Sequence, residues 1–290
     1  DIVLTSQRIS ELLQDLGRMD RERIEFFHHW TRHRAEREYL AFDITSISSY
    51  SKLMEYLEFG YNRDGEDLPQ VNMGILFGQT SLLPVFYRIH QGSIRDMTTI
   101  ASMMEYAKLF DMKNLRWVMD KGFFSDENLA GMLKNKVHFT ISMPFTTSLA
   151  QTMVEKARQR IGRPAKTVIV NGDLINVEHG KVTSHRKTLQ SFVYYNERRY
   201  LDAKESLMKQ VVRLEHFLEG RRSIPPSLSN QYMKYLKVRR TRGNLNISRD
   251  EEKIMQSLKN RGFLVILSSD IRDASEALHL YRAKDAVERA

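Results

Sequence analysis

Apolar and polar residues alternate along three segments in the first third of the chain. The alternation runs over residues 39–47, 71–77 and 83–89, and in the first of these Asp43 lies on the polar face. A period of two is typical of half-buried β-strands. The short connection at residues 78–82 predicts that the second and third strands form a hairpin. The first strand therefore displays an acid, and residues 50–59 after it are predicted to be helical.

Helical spacing of the apolar residues begins after the third strand. Residues 94–107 form an apolar stripe that consists of Ile94, Met97, Ala101, Met104 and Ala107, with Ser93 as the expected N-cap. The short apolar segment 115–119 then predicts a strand that ends at Asp120, because Gly122 favours a turn immediately afterwards. Ser125 is the expected N-cap of the next helix, and residues 137–143 form another strand. Asp120 thus lies where open α/β sheets bind ligands, although it could simply cap a turn.

The order of strands and helices predicts the fold. Three leading strands followed by helix-linked parallel strands match the order of a ribonuclease H-like fold, an α/β mixed sheet flanked by helices. We assign residues 1–37 to a basic helical segment, 38–145 to the first part of the core and 262–290 to its last part. Residues 146–261 are predicted to be a β-rich, DNA-binding insertion, with strands at 168–177 and 192–195, a helix at 204–218 and a final core helix after Ser275.

Composition narrows the function classes. Lys and Arg outnumber Asp and Glu by 45 to 36, and the isoelectric point is near 9.6, so a polyanionic partner such as nucleic acid is favoured. The absence of cysteine excludes disulfide scaffolds and thiolate metal sites and favours a cytoplasmic location. No signal peptide or membrane-spanning run is visible. The chain lacks an initiator methionine and stops within a helical pattern, which predicts a fragment of a longer protein.

Basic residues mixed with aromatic ones mark a candidate phosphate-binding segment in the insertion. It contains Tyr232, Lys234, Tyr235, Lys237, Arg239, Arg240 and Arg242. The histidines at 28, 29 and 33 could be read as metal ligands, but the interspersed arginines favour a basic surface helix.

Three acids, Asp43, Asp120 and Glu288, provide the hard oxygen ligands that two Mg²⁺ or Mn²⁺ ions need for phosphodiester chemistry. The segments around them resemble the bacterial insertion-sequence transposases of the DDE type, in the branch with a β-rich insertion between the second and third acids. The likeness rests on residues 42–46, 92–96, 120–124, 262–267 and 280–290. The last of these is similar to the family's signature of Tyr, basic residue, Glu and Lys, with Lys284 in place of the arginine and Arg282 nearby.

The resemblance implies that Asp43, Asp120 and Glu288 ligate two metal ions, and that Tyr281 with Arg282 or Lys284 contacts the phosphate of the transposon end. It implies metal-dependent cleavage and strand transfer on terminal inverted repeats and target DNA, by a homodimer associated with the bacterial nucleoid. Two alternatives stay open: a non-catalytic DNA-binding fragment that occupies transposon ends, and a nuclease of the same fold without end specificity.

Overall fold

The computed structural model describes residues 5–35, 37–51, 53–61, 65–163, 166–219, 221, 223, 232–241 and 244–284. The chain divides into two compact units. Unit 1 comprises residues 1–143, 181–191 and 266–290, and unit 2 comprises residues 144–180 and 192–265. The assignment of residues 146–261 to a DNA-binding insertion domain stays a prediction.

Unit 1 is built on a mixed sheet. Its strands span Leu40–Ser48 (β1), Gln70–Gly78 (β2), Pro84–Gln91 (β3), Arg116–Met119 (β4), His138–Ser142 (β5) and Phe263–Ser268 (β11). They lie in the order β3-β2-β1-β4-β5-β11. β1, β2 and β3 are antiparallel neighbours, β4 is parallel to both β1 and β5, and β11 is antiparallel to β5. This mixed sheet with its flanking helices confirms the ribonuclease H-like fold class.

The helices of unit 1 lie before, between and after these strands along the chain. They span Ser6–Arg18 (α1), Asp20–Arg34 (α2), Asp96–Leu109 (α3), Lys121–Phe123 (a single 3₁₀ turn), Asp126–Lys134 (α4) and Ala274–Ala283 (α8). Trp117, Phe42 and Phe123 are almost completely buried, and the Phe42 ring contacts both other rings. α8 packs against β4 and β5, which places its residues beside the end of β4.

Unit 2 combines short strands with helices. Its elements span Ser148–Arg158 (α5), Thr167–Val170 (β6), Asp173–Ser184 (β7), Lys187–Tyr195 (β8), Glu197–Leu218 (α6), Leu236–Thr241 (β9), Asn244–Arg249 (β10) and Glu251–Leu258 (α7), and the boundary between the units passes through β7, β8 and β11. α6, α7 and β9 share an apolar cluster that includes Val211, Leu218, Tyr232 and Ile254. Apolar positions at helical spacing on α6 thus find their partners inside the unit.

The predicted helix at residues 50–59 is wrong. In the part of this segment that the structure describes, the chain is irregular, and Tyr56 has a positive φ of 67° that an α-helix excludes. Glu58 instead pairs with Gln70 on β2 as an isolated antiparallel bridge. Leu53 is 96% exposed, so the apolar side chains that suggested a helix meet no core.

Ser93 does not cap α3, which begins three residues later after Arg95. The Ser93 hydroxyl instead hydrogen-bonds to the carboxylate of Glu58. Gly92, just before it, lies close to β2, because a Cβ there would be 2.0 Å from the carbonyl oxygen of Gln70. The chain is therefore pinned against its neighbours before the helix starts. The buried face of α3 is also rotated from the predicted stripe and consists of Thr99, Ile100, Met103, Met104 and Ala107.

Two further boundaries differ from the sequence prediction. Residues 168–177 are not one strand but the antiparallel pair β6 and β7, because Asn171 and Gly172 both adopt positive φ and reverse the chain. α8 is capped by Asp273, whose carboxylate accepts from the Glu276 N–H at 2.8 Å, so it begins one residue before Ser275.

Among the described residues, no helix combines the length and the apolarity that crossing a membrane requires.

Candidate active site

Asp120 follows a strand that is buried along nearly its whole length. Trp117, Val118 and Met119 are fully buried, so β4 is held in the middle of the sheet and ends where the chain becomes polar. The 3₁₀ turn that follows buries Phe123, and the Ser125 hydroxyl then accepts from the Asn128 N–H at 3.1 Å as the N-cap of α4. Ser125 is the predicted cap, and the strand-turn-helix unit around Asp120 is confirmed.

Asp43 is brought beside Asp120 by the register of two parallel strands. Phe42 on β1 is paired with Met119 on β4, so the next residue along each chain is one of the two acids. Side chains at equivalent positions of neighbouring parallel strands point to the same face of a sheet. Asp43 therefore lies within β1, beside the end of β4, where Asp120 follows Met119. Whether the two carboxylates share a cation stays a prediction.

Three donors hold one oxygen of the Asp120 carboxylate. Oδ1 accepts from the Tyr281 hydroxyl at 2.7 Å, the Lys121 N–H at 2.7 Å and the Ser142 hydroxyl at 3.0 Å. Tyr281 and Ser142 are also 3.0 Å apart, so the three side chains form a closed network. Because all three of these hydrogen bonds end on Oδ1, they also fix the direction in which Oδ2 points.

The hydrogen bonds keep Asp120 ionised despite its partial burial. Burial alone would raise the pKa of this carboxyl group, but the Tyr281, Lys121 and Ser142 hydrogen bonds and the charge of Lys284 outweigh it, so the pKa is lowered. Lys284 is itself only 8% exposed, and its Nζ lies 5.4 Å from the centre of the Tyr281 ring. The site thus favours a negatively charged carboxylate with a cation nearby.

Contacts with residues distant in the sequence hold α8 in place, and α8 carries Tyr281. Its inner face buries Ala277 and Leu278, and the Gln79 side-chain amide donates to the Leu280 carbonyl at 2.9 Å. The phosphate contact predicted for Tyr281, Arg282 and Lys284 stays a prediction. In this structure the Tyr281 hydroxyl instead orients a predicted metal ligand.

The donor chemistry fits a divalent cation. Carboxylate oxygens are the ligands that Mg²⁺ and Mn²⁺ prefer, and Asp43 and Asp120 supply them from neighbouring strands. Among the described residues, no group of three His, Cys, Asp or Glu side chains could hold a metal ion. Glu288, the third predicted ligand, lies outside the described residues.

The predicted basic segment lies mainly on β9 of unit 2. Lys234 and Arg239 are exposed, and Lys234 Nζ lies 5.4 Å from the centre of the Tyr235 ring. Lys237 forms an ion pair with Asp250 at 3.4 Å. Tyr232 and Tyr235 are buried in the apolar core of the unit, so they support the segment from inside. The backbone of Arg240 belongs to β9, and Arg242 lies outside the described residues.

Ser142 was missed by sequence reasoning, which recognised the strand but not the function of its last residue. The signal was present, since Ser142 ends the strand next to the one that delivers Asp120. A hydroxyl at that position can reach the acid across one strand spacing of roughly 4.8 Å. Of the α2 histidines, His29 and His33 are exposed and His28 is half-buried against the Phe110 ring.

Comparisons with known proteins identify the family. The family described as "Transposase DDE domain" matches residues 34–290. A search of curated proteins found no significant match. Among solved structures, the chain is similar to piggyBac transposase in a synaptic complex with hairpin DNA, at 10% identity and a TM-score of 0.46. That alignment covers 91% of this chain and 41% of the piggyBac chain, so this chain spans less than half of that protein's length. Because the family match extends over most of its residues, the chain belongs to the transposase DDE domain family.

Proposed function

We propose that this chain is the catalytic part of a bacterial insertion-sequence transposase, which cuts DNA at the ends of its element and transfers the cut strand to a target. The register of β1 and β4 carries this proposal, because it sets Asp43, within β1, beside Asp120, which follows the last residue of the parallel strand β4. The family supports DNA transposition in general, and the pair of acids supports the phosphodiester chemistry that transposition requires.

Asp43, Asp120 and Glu288 would hold two divalent cations, Mg²⁺ or Mn²⁺. When bound, such ions lower the pKa of water and stabilise charge on the attacking and leaving oxygens of a phosphodiester. The described chain supplies two of the three acids, and the positions of both follow from buried strands. The third acid, Glu288, follows α8 in the sequence and lies outside the described residues.

The other residues of the site act on Asp120. Tyr281, Ser142 and the Lys121 N–H fix the orientation of its Oδ1, so its second oxygen has a defined direction. The lowered pKa keeps the carboxylate ionised, as a metal ligand must be. Lys284 adds a positive charge within reach of the site, where a DNA phosphate would be attracted.

DNA would be bound outside the acid pair as well. The predicted basic segment at residues 232–242 lies mainly on β9 and is called the β9 segment below. Its Lys234 and Arg239 are exposed cations, and the chain as a whole carries a net charge of +9. Such contacts to phosphates provide affinity without reading sequence. We propose terminal inverted repeats and target DNA as the substrates and a homodimer as the assembly that holds two ends.

The test is cleavage by the variant Asp120→Asn, in which the carboxylate is neutralised at nearly constant size. We expect magnesium-dependent nicking of a plasmid carrying the element's terminal sequences to fall by at least about a thousandfold, as losses of essential catalytic groups do. Binding of the same DNA should change less than about threefold, because the basic contacts lie elsewhere. Asp43→Asn should behave in the same way.

Asp111→Asn is the matched control. Asp111 is an exposed acid with a positive φ of 49°, a conformation that asparagine tolerates well, and it precedes β4 whereas Asp120 follows that strand. If Asp120→Asn cuts as well as the parent protein, the metal-ligand assignment is wrong. A full-length parent that binds the ends but never cuts them would favour the non-catalytic alternative, and cutting without preference for the ends would favour a general nuclease.

A further inference from the structure

Asn128 is a buried amide in the first turn of α4, and it bonds to two other segments of unit 1 at once. Its side chain is only 7% exposed. Nδ2 donates to the Phe123 carbonyl at 2.9 Å, at the end of the 3₁₀ turn that follows Asp120. It also donates to the Met97 carbonyl in the first turn of α3 at 2.8 Å. One amide therefore ties the turn beside the acid to α3.

Helix capping does not account for these contacts. Ser125 is the N-cap of α4, so Asn128 is the third residue of the helix, where Glu or Gln commonly reaches back to accept from the N-cap N–H. The Asn128 amide is instead a donor, and both of its acceptors lie outside α4. A side chain with two N–H groups and little length suits this position because it can satisfy two carbonyls at once.

The turn that Asn128 holds is bonded to Asp120 at its other end. The Lys121 N–H donates to Asp120 Oδ1 at 2.7 Å, and the Phe123 N–H donates to the Asp120 carbonyl at 3.1 Å. Asn128 fixes the carbonyl of Phe123, the last residue of the turn. A shift at that end would therefore move the Lys121 N–H relative to the carboxylate.

The same turn packs closely against α3 and β1. A Cβ on Gly122 would lie 3.3 Å from Oδ2 of Asp96, the first residue of α3. The Phe123 ring is buried, and its centre lies 4.8 Å from that of Phe42 on β1. The turn thus follows β4 and contacts β1, the two strands of the acid pair, and Asn128 is the side chain that bonds it to α3.

We propose that Asn128 is a positioning residue for Asp120 and acts through the 3₁₀ turn. Its two hydrogen bonds hold the turn against α3, and the turn holds the Lys121 N–H on Asp120 Oδ1. The carboxylate is thereby kept in the direction from which it would meet a divalent cation. Residues that orient metal ligands in this way commonly change metal affinity or activity by roughly 10–100-fold when they are replaced. The inference rests on the proposed function and extends it from the acids to the residue that holds their turn.

The first test is hydrogen–deuterium exchange of the protein without metal or DNA. Asn128→Leu keeps the size of the side chain and removes both donors, so the amides of residues 121–124 should exchange about tenfold faster than in the parent, whereas those of β4 should not change. Asn128→Ser retains one donor, and its exchange should lie between the two. If a folded Asn128→Leu protein exchanges residues 121–124 like the parent, the proposal is overturned.

Asn72→Leu is the matched control. Asn72 is likewise a buried amide of unit 1, 4% exposed, and it donates to the carbonyls of Gly92 at 3.1 Å and Ile94 at 3.4 Å, in the segment before α3. The same chemical change there should leave the exchange of residues 121–124 as in the parent. Thermal melting reports the general loss of stability in both variants. Equally fast exchange of the turn in both would show that Asn128 only stabilises the fold.

The second test connects the turn to the cation. The Mg²⁺ concentration for half-maximal nicking of DNA ends should rise about tenfold in Asn128→Leu, while the binding of those ends and the Mg²⁺ requirement of Asn72→Leu stay like the parent's. A loosened turn with an unchanged Mg²⁺ requirement would contradict the positioning role.

The parent protein gives a check that needs no variant. If its Lys121 N–H exchanges as fast as in an unstructured peptide, the turn is not held and the proposal fails. A full-length parent that never cuts DNA would remove the proposed function, whereas the exchange of residues 121–124 would still decide whether Asn128 holds the turn.

Discussion

Asp120 shows how a single carboxylate can be prepared by residues far away in the sequence. Tyr281 and Ser142 both donate to its Oδ1, and Tyr281 is separated from it by 161 positions along the chain. A carboxylate that accepts several hydrogen bonds is stabilised in its charged form, and here this effect exceeds the opposing effect of burial. The local consequence is an acid that stays ionised and points in one direction.

Tyr281→Phe should raise the pKa of Asp120 towards its ordinary value, because the ring remains while its strongest side-chain hydrogen bond is removed. Carbon-13 NMR of the carboxyl group without divalent ions measures this directly. Tyr39→Phe is the control, since the Tyr39 hydroxyl bonds to Asp270 at 3.4 Å. An unchanged Asp120 pKa in Tyr281→Phe would show that the tyrosine does not stabilise the charged form.

The same variant has a predictable pH dependence of stability. Because the folded-state pKa of Asp120 is lowered, its contribution to stability is present above the unfolded pKa of about 3.9 and is lost as the pH falls through the folded-state value. The difference in melting temperature between the parent and Tyr281→Phe should therefore be largest near neutral pH and narrow below about pH 4. A difference that stays constant to about pH 2 would have another cause.

At the scale of elements, Asp250 links the β9 segment to the helix that follows β10. Its carboxylate caps α7 by accepting from the Lys253 N–H at 3.3 Å and forms ion pairs with Lys237 at 3.4 Å and Lys253 at 3.6 Å. Loss of water contact alone would raise the pKa of Asp250, but the hydrogen bonds and positive charges of Lys253 and Lys237 lower it. One side chain thus holds both a helix start and a predicted DNA-binding lysine.

Asp250→Asn should destabilise the protein at neutral pH, because asparagine can still cap α7 but cannot pair with the two lysines. Since the pKa of Asp250 is lowered in the folded protein, the destabilisation should be full above about pH 4 and shrink as the pH falls further. Thermal melting across this range measures it. Asp273→Asn, which changes the cap of α8, is the control and should show a smaller effect. Equal effects of the two changes would mean that capping alone matters at Asp250.

At the scale of the whole molecule, the net charge of +9 does not show which cations can bind DNA. That depends on where each cation lies and whether an acid neutralises it. Some of the positive charge is neutralised internally, as at Lys237, and some is exposed, as at Lys234 and Arg239. Only cations that are free to release counterions from DNA contribute to the salt dependence of binding. The exposed residues of the β9 segment are therefore the ones to test.

Replacing Lys234 and Arg239 together with glutamine should weaken duplex binding across sequences and reduce the salt slope by about 0.9 for each phosphate that is no longer neutralised. Fluorescence anisotropy at several salt concentrations measures the slope for specific and unrelated DNA. Lys204→Gln with Arg213→Gln, which removes two exposed cations of α6, is the charge-matched control. An unchanged slope in the β9 variant would exclude these residues from the DNA interface.

Sequence periodicity was sufficient for the elements whose burial is local. Three features could be predicted because each depends only on residues close together in the sequence. They are the alternation of β1 to β3, the apolar strand β4 before Asp120 and the Ser125 cap of α4. The family motifs led further, to the transposase DDE domain that the match over residues 34–290 confirms. The helix predicted at residues 50–59 was wrong, because exposed apolar side chains can be spaced like the buried face of a helix.

Contacts between distant residues decided the rest. The pairing of Phe42 with Met119, which sets Asp43 beside Asp120, follows from the register of two strands that are far apart along the chain. The Ser142 and Tyr281 hydrogen bonds, the Lys237 pair with Asp250 and the Asn128 bond to Met97 are likewise absent from any local pattern. Sequence by itself determined the elements whose burial is local, including the strands that deliver Asp43 and Asp120. Only the tertiary structure decided which side chains meet, because packing, and not spacing along the chain, sets the distances between them.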